Sequence, residues 1–276
     1  MQEMIRLMGA PFAACLLMSV VLGYLGLHVL KREVIFIDIA LAQFAAIGAI
    51  AAHVTLGVHG DSAVALAAAW CATLVAAVFY AVVRHASAWI PLEAVIGISY
   101  AAAAAGALFL IDKGTGGHTH IQEMLAGNLL WVRWRGIAET GAVFLLAGVA
   151  FCLARLPMQR VSDDYEGAVR AGMNVVGWDF LFYALCGAVI TVAVRLAGVL
   201  VVFCFLIIPA TVSALFSRRW GSRFAIAVAA GAAASVAGLP FGYFLDFSAG
   251  AAVALALGAT LFGTWALAAM RPERVR

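Results

Sequence analysis

The stretch Leu196–Ser217, LAGVLVVFCFLIIPATVSALFS, runs for 22 residues without a charged side chain and is closed by Arg195 on one side and by Arg218 and Arg219 on the other. A helix needs about 20 residues, at 1.5 Å each, to cross the roughly 30 Å hydrocarbon layer. The stretch therefore reads as a transmembrane helix, and Pro209 inside it predicts a break or kink, because proline removes a backbone donor. Similar charge-poor runs lie at 7–30, 39–60, 62–83, 94–111, 140–154, 180–194, 224–245 and 247–270. The runs are continuously apolar instead of alternating over about ten residues, which favours helices over a barrel. The expected fold is all-α, a polytopic membrane bundle of about eight or nine transmembrane helices in a single domain, 1–276.

Composition agrees. Hydrophobic residues make up 66% and charged residues 11% of the 276, whereas soluble chains hold about half and about a quarter. The first run is too long for a signal-peptide core and lacks a basic start, so it reads as a retained helix. The net charge of +3 carries no nucleic-acid message, because the basic residues form short clusters between apolar runs. Cys15, Cys71, Cys152, Cys186 and Cys204 lie singly inside apolar runs and read as packing thiols.

Those basic clusters orient the chain, since they concentrate in cytoplasmic loops. With nine crossings and an external N-terminus, Lys31, Arg32, Arg84, Arg155, Arg160, Arg170, Arg218, Arg219, Arg223, Arg271, Arg274 and Arg276 all fall inside. Arg6, Lys113, Arg133, Arg135 and Arg195 are left outside. The short runs from Thr140 and Phe180 are the weak points of this count. Between the runs, 112–136 opens with the glycine-rich DKGTGGHTH and continues as an amphipathic surface helix anchored by Trp131 and Trp134. The segment of about 157–178 is the most polar, and Ser162 or Asp163 is expected to cap a short helix there that ends at Gly172.

An ionisable group near the bilayer centre costs about 2.5–3.5 kcal/mol on insertion scales, so each needs a reason. Asp38, in EVIFIDIALAQF, and Glu93, in WIPLEAVIGI, open runs that leave the cytoplasm in the same direction, at similar depth. Gln43, five residues beyond Asp38, is taken to share roughly the same broad face. Such oxygens suit hard and borderline divalent cations. The alternative is that both acids cap helix starts, where negative charge suits the dipole. His118 and His120 form an HTH tripeptide that holds at most half a metal site. His28, His53 and His59 read as interfacial residues at helix ends, and Asp246 as a turn residue capping the last helix. No GxxxxGK[ST], GxSxG or HExxH occurs, so neither a phosphate loop nor a hydrolytic constellation is present.

Five blocks, VIFIDIALAQFAAIGAIAAH, GNLLWV, DDYEGAVRAGMNV, VRLAGVLVVFCFLIIPATVSALF and GYFLDFSAGAAVALALGATLF, occur in an order and spacing that resembles the ABC-3 family of permeases. That family serves zinc, manganese and iron importers. The resemblance implies a type II importer-like permease in the bacterial cytoplasmic membrane, working as a homodimer with two separate ATPase subunits inside and a metal-binding protein docking outside. It implies no permanently bound cofactor; the divalent metal is cargo. It further implies that DDYEGAVRAG, with Asp164, Glu166, Gly167, Arg170 and Gly172, forms the cytoplasmic coupling helix, and that Asp38 and Glu93 fall at acidic positions of the metal path. Ala42 and Gln43 depart from the serine and histidine of many members, which weakens zinc and leans towards manganese or iron. From a different class, a proton-coupled secondary transporter without an ATPase would use the same two acids.

Overall fold

The structure, a computed structural model, describes residues 2–60, 62–86, 89–112 and 129–270. It contains α1 (Gln2–Arg32), α2 (Ile37–Leu56), α3 (Ala63–Ala86), α4 (Leu92–Asp112), a 3-10 turn (Leu129–Trp131), α5 (Trp134–Leu153), α6 (Arg155–Asp163), α7 (Tyr165–Arg170), α8 (Val175–Ala197), α9 (Val199–Phe216), α10 (Trp220–Phe244) and α11 (Ala249–Ala269). Among the described residues there is no strand, and nine helices, α1–α5 and α8–α11, are long and apolar enough to cross a membrane.

The side-chain pattern is inverted relative to a water-soluble bundle. The inward face of α3 carries mostly small residues, Ala65, Ala69, Thr73, Ala76, Ala77 and Ala81, with Tyr80 among them. Its outward stripe Val75, Val78, Phe79 and Val82 is 44–67% exposed. Large apolar groups facing outward are unfavourable in water and favoured in lipid, where helices associate instead through small residues that let backbones approach. Gly48 of α2 is one such point: a Cβ there would lie 2.8 Å from Ala72 Cβ of α3. On α10, Gly238 and Gly242 repeat at GxxxG spacing against α11, where an added Cβ would meet Val253 Cα at 2.7 Å and Ala252 Cβ at 2.9 Å.

The helices form two compact units. One comprises α1 up to Leu30, the start of α5 and α9–α11. In it α9, α10 and α11 pack on one another. The other comprises the last two residues of α1, α2–α4, the rest of α5, α6, α7 and α8 up to Arg195. There α2 packs on both α3 and α4, and Tyr80 meets Tyr183 of α8 edge to face at 6.0 Å.

The structure answers several expectations, keeping some and correcting others. The two short runs belong to full-length helices, α5 and α8, of 20 and 23 residues. Flanking polar residues join them: Arg135 and Glu139 pair at 2.9 Å, one turn apart on α5. Trp134 opens a membrane helix instead of ending a surface one. Helix α9 continues through Pro209 without a break. His28 is fully buried within the protein, between Tyr24 and Trp220. Ser248 caps α11 by accepting the Ala251 N–H at 3.3 Å, while Asp246 takes a left-handed turn conformation (φ 56°). The described cysteines are all free thiols; Cys15, Cys186 and Cys204 are buried, and Cys71 and Cys152 are exposed.

Candidate metal path and coupling segment

Asp38 lies in the first turn of α2 and is 1% exposed. The N–H groups of Asp38 itself and Ile39 lie near its carboxylate, yet neither oxygen makes a bond of acceptable geometry. The cap of α2 is supplied from elsewhere. Phe36, at the N-cap position, offers no side-chain acceptor, and Glu93 of α4 accepts the Phe36 N–H at 3.0 Å. Glu93 is thus a capping residue for a helix other than its own, and its second oxygen is buried with no bonded partner. The two carboxylates lie within electrostatic reach of each other. A buried polar atom left unbonded is rare enough in folded proteins to require a reason.

Gln43 does not join them. The buried residues of α2 are Ile37, Asp38, Ala40, Leu41, Ala42, Ala45, Ala46 and Ala52, and five steps of about 100° carry Gln43 roughly 140° away from Asp38. It is only half-buried. His118 and His120 lie outside the described residues. Among the described residues no three His, Cys, Asp or Glu converge in a way that would hold a metal.

The polar segment folds as two short helices joined at Asp164. Its N–H donates to Arg160 O at 3.0 Å, ending α6, and its side chain accepts the Gly167 N–H at 2.8 Å, starting α7. Asp164, not Ser162 or Asp163, is therefore the cap. Gly167 lets the Asp164 carboxylate lie close over its N–H, since a Cβ would lie 2.7 Å from Asp164 Cγ and push that side chain aside. At the other end Gly172 takes a left-handed φ of 71°. The Met173 N–H reaches Ala168 O at 3.1 Å and the Gly172 N–H reaches Val169 O at 3.0 Å, the paired bonds that close a helix on a C-terminal glycine. Glu166 and Arg170 form a loose, exposed i,i+4 pair at 3.9 Å.

Beside this segment sits a buried ionic cluster that sequence reasoning missed. The Oδ1 atom of Asp179, in α8, receives both Arg32 of α1 and, at 2.9 Å, Arg84 of α3. Asp179 and Arg32 are fully buried and the Arg84 side chain is 13% exposed. Arg32 also donates from Nε to Ser162 Oγ at 2.8 Å and lies over the Phe182 ring at 4.1 Å. Lys31 pairs with Asp163. An acid in an apolar stretch, VVGWDFLFYAL, was the available signal; beginning the run at Phe180 left it outside.

Residues 4–268 match the ABC 3 transport family. The chain belongs to the ABC 3 transport family. Relatives by sequence include the chelated iron transport system membrane protein YfeC of Yersinia pestis, 24% identical over 180 residues that cover 65% of this chain and 60% of YfeC. Another is the manganese import system permease protein ScaB of Streptococcus parasanguinis, 27% identical over 163 residues, with 59% and 58% covered. These matches span about three fifths of each relative's length. A chain of PsaBC from Streptococcus pneumoniae, solved in complex with Fab, shares the fold at a TM-score of 0.75 and 21% identity, covering 96% of this chain and 95% of that one. With the nine apolar helices, membership in this transport family makes the chain a multi-pass membrane protein.

Proposed function

We propose that this ABC 3 family chain is the single-domain permease subunit of an importer for a divalent transition metal, in the bacterial cytoplasmic membrane. It works as a homodimer, with separate ATPase subunits on the cytoplasmic side and a metal-binding protein outside. The observation that carries this reading is the Asp38 carboxylate, buried at the start of a membrane helix with no bonded partner, beside a second acid that has one oxygen unbonded. A cation in transit supplies what these oxygens lack, and two carboxylates with few further ligands bind weakly enough to release it. Manganese or iron is the favoured cargo, supported by the oxygen donors and by the names of the relatives.

Asp164, Glu166, Gly167, Arg170 and Gly172 form the contact with the ATPase. Both ends of α7 are closed by specific bonds, which presents a short rigid helix. His118 and His120 receive metal at the external face.

The test is uptake by the chain reconstituted in liposomes with its ATPase. Asp38→Asn is expected to lose most ATP-driven manganese uptake while assembly and ATP binding persist; near-normal uptake would defeat the ligand role. Transport that follows a pH gradient with no ATPase present would instead identify a proton-coupled carrier. A parallel metal titration tests the histidines, because His118→Ala with His120→Ala should raise the concentration giving half-maximal uptake.

A further inference from the structure

The α6–α7 segment is held by two attachments within its compact unit. One is apolar: Val161, Ala168 and Val175 bury together, with Tyr165 and Trp178 packed against them. The other is the cluster on Asp179, and its two arginines are not equivalent. Arg32 is fully enclosed between Asp179, Ser162 and Phe182, so it serves as a fixed strut. Arg84 stands at the edge of the cluster. One side of its guanidinium meets Asp179 at 2.9 Å, and the group lies over the Tyr165 ring at 4.3 Å. Tyr165 is the first residue of α7, directly after the Asp164 cap. Its hydroxyl lies 3.5 Å from His85 Nδ1, so the ring rests along the end of α3.

We propose that Arg84 is the positioning residue of α7: anchored on Asp179, it holds the Tyr165 ring and sets where the first turn of the helix stands. The proposal rests on the transporter reading above and deepens it, since force delivered to α7 by an ATPase then enters α3 and α8 through this pair. Chemistry favours arginine for the task. Its planar, permanently charged group bonds a carboxylate through its edge while its face stacks on an aromatic ring, and lysine reproduces the charge without the stack. The contact is also suited to transmission because it joins the first residue of a short surface helix to the last turn of a long membrane helix, with no flexible linker between them.

The experiment measures manganese uptake and ATP hydrolysis in the same liposomes, using the full chain assembled with its ATPase. Tyr165→Phe keeps the ring and should leave the ratio of uptake to hydrolysis unchanged. Tyr165→Leu and Arg84→Gln should each lower that ratio about fivefold or more, the scale of an ordinary coupling between sites, with hydrolysis and subunit stoichiometry preserved. Arg84→Lys should fall between them and the parent. An unchanged ratio in both Tyr165→Leu and Arg84→Gln would overturn the proposal. Parallel loss of uptake and hydrolysis in Tyr165→Leu, or loss of ATPase from that complex, would also overturn it and leave the pair a structural support. Failure of the unsubstituted chain to recruit an ATPase would overturn the transporter reading and this proposal with it, and the parent complex alone reveals that outcome.

Discussion

Asp38 and Asp179 are both buried acids near the starts of membrane helices, at 1% and 0% exposure, yet the chain treats them in opposite ways. Asp179 is paired: two guanidinium groups converge on its Oδ1, one of them also bonding Ser162, while its Oδ2 is buried without a bond. Neither Asp38 oxygen makes a hydrogen bond of acceptable geometry, and a second acid, Glu93, lies within electrostatic reach. Pairing explains the first as part of the folded structure. Under the proposed function, the second is left to a cation in transit.

Charge removal separates the two most sharply. Asp179→Asn strands the buried Arg32 and the partly exposed Arg84 and should lower stability by about 3–5 kcal/mol, the usual effect of breaking a buried ion pair, seen as an earlier unfolding transition in detergent. Asp38→Asn leaves no charge stranded. Its unfolding transition should stay in place or rise, while uptake falls about tenfold or more, equivalent to at least about 1.4 kcal/mol of lost stabilisation in transit. Equal destabilisation by both substitutions would erase the distinction.

Glu93 stands between these extremes, since one oxygen is structural and one is not. Glu93→Gln keeps an acceptor for the Phe36 N–H and should reduce uptake with little change in stability. Glu93→Ala removes the cap as well, and its unfolding should shift by a further 0.5–2 kcal/mol or so, the range for lost helix caps. Smallest of all, Gln43→Ala should alter uptake less than about twofold, because a position some 140° round the helix cannot share the Asp38 site. A larger loss would return Gln43 to the ligand set.

The apolar runs were legible because the length and charge of a membrane helix are dictated by the bilayer itself. Their ends were not, since a residue such as Asp179 reads as a boundary until its arginines are known to be adjacent. The coupling segment shows the same limit at finer scale. Ser162, Asp163 and Asp164 are all good caps by composition, and tertiary contacts decide among them. Arg32 engages the hydroxyl of Ser162 and Lys31 pairs with Asp163, while Asp164 caps α7. Likewise Glu93 stands out in the sequence as a costly acid, but a cap reaching across to another helix leaves no trace in local sequence.

That cross-helix cap bears on how long a cation would dwell. A helix start carries roughly half a positive charge, and the acids Asp38 and Glu93 lie in the first turns of α2 and α4. Two carboxylates set against two such helix starts leave roughly one net negative charge for a doubly charged guest. The residual mismatch favours short residence, so on this reading throughput is built into the backbone and does not depend on side chains alone.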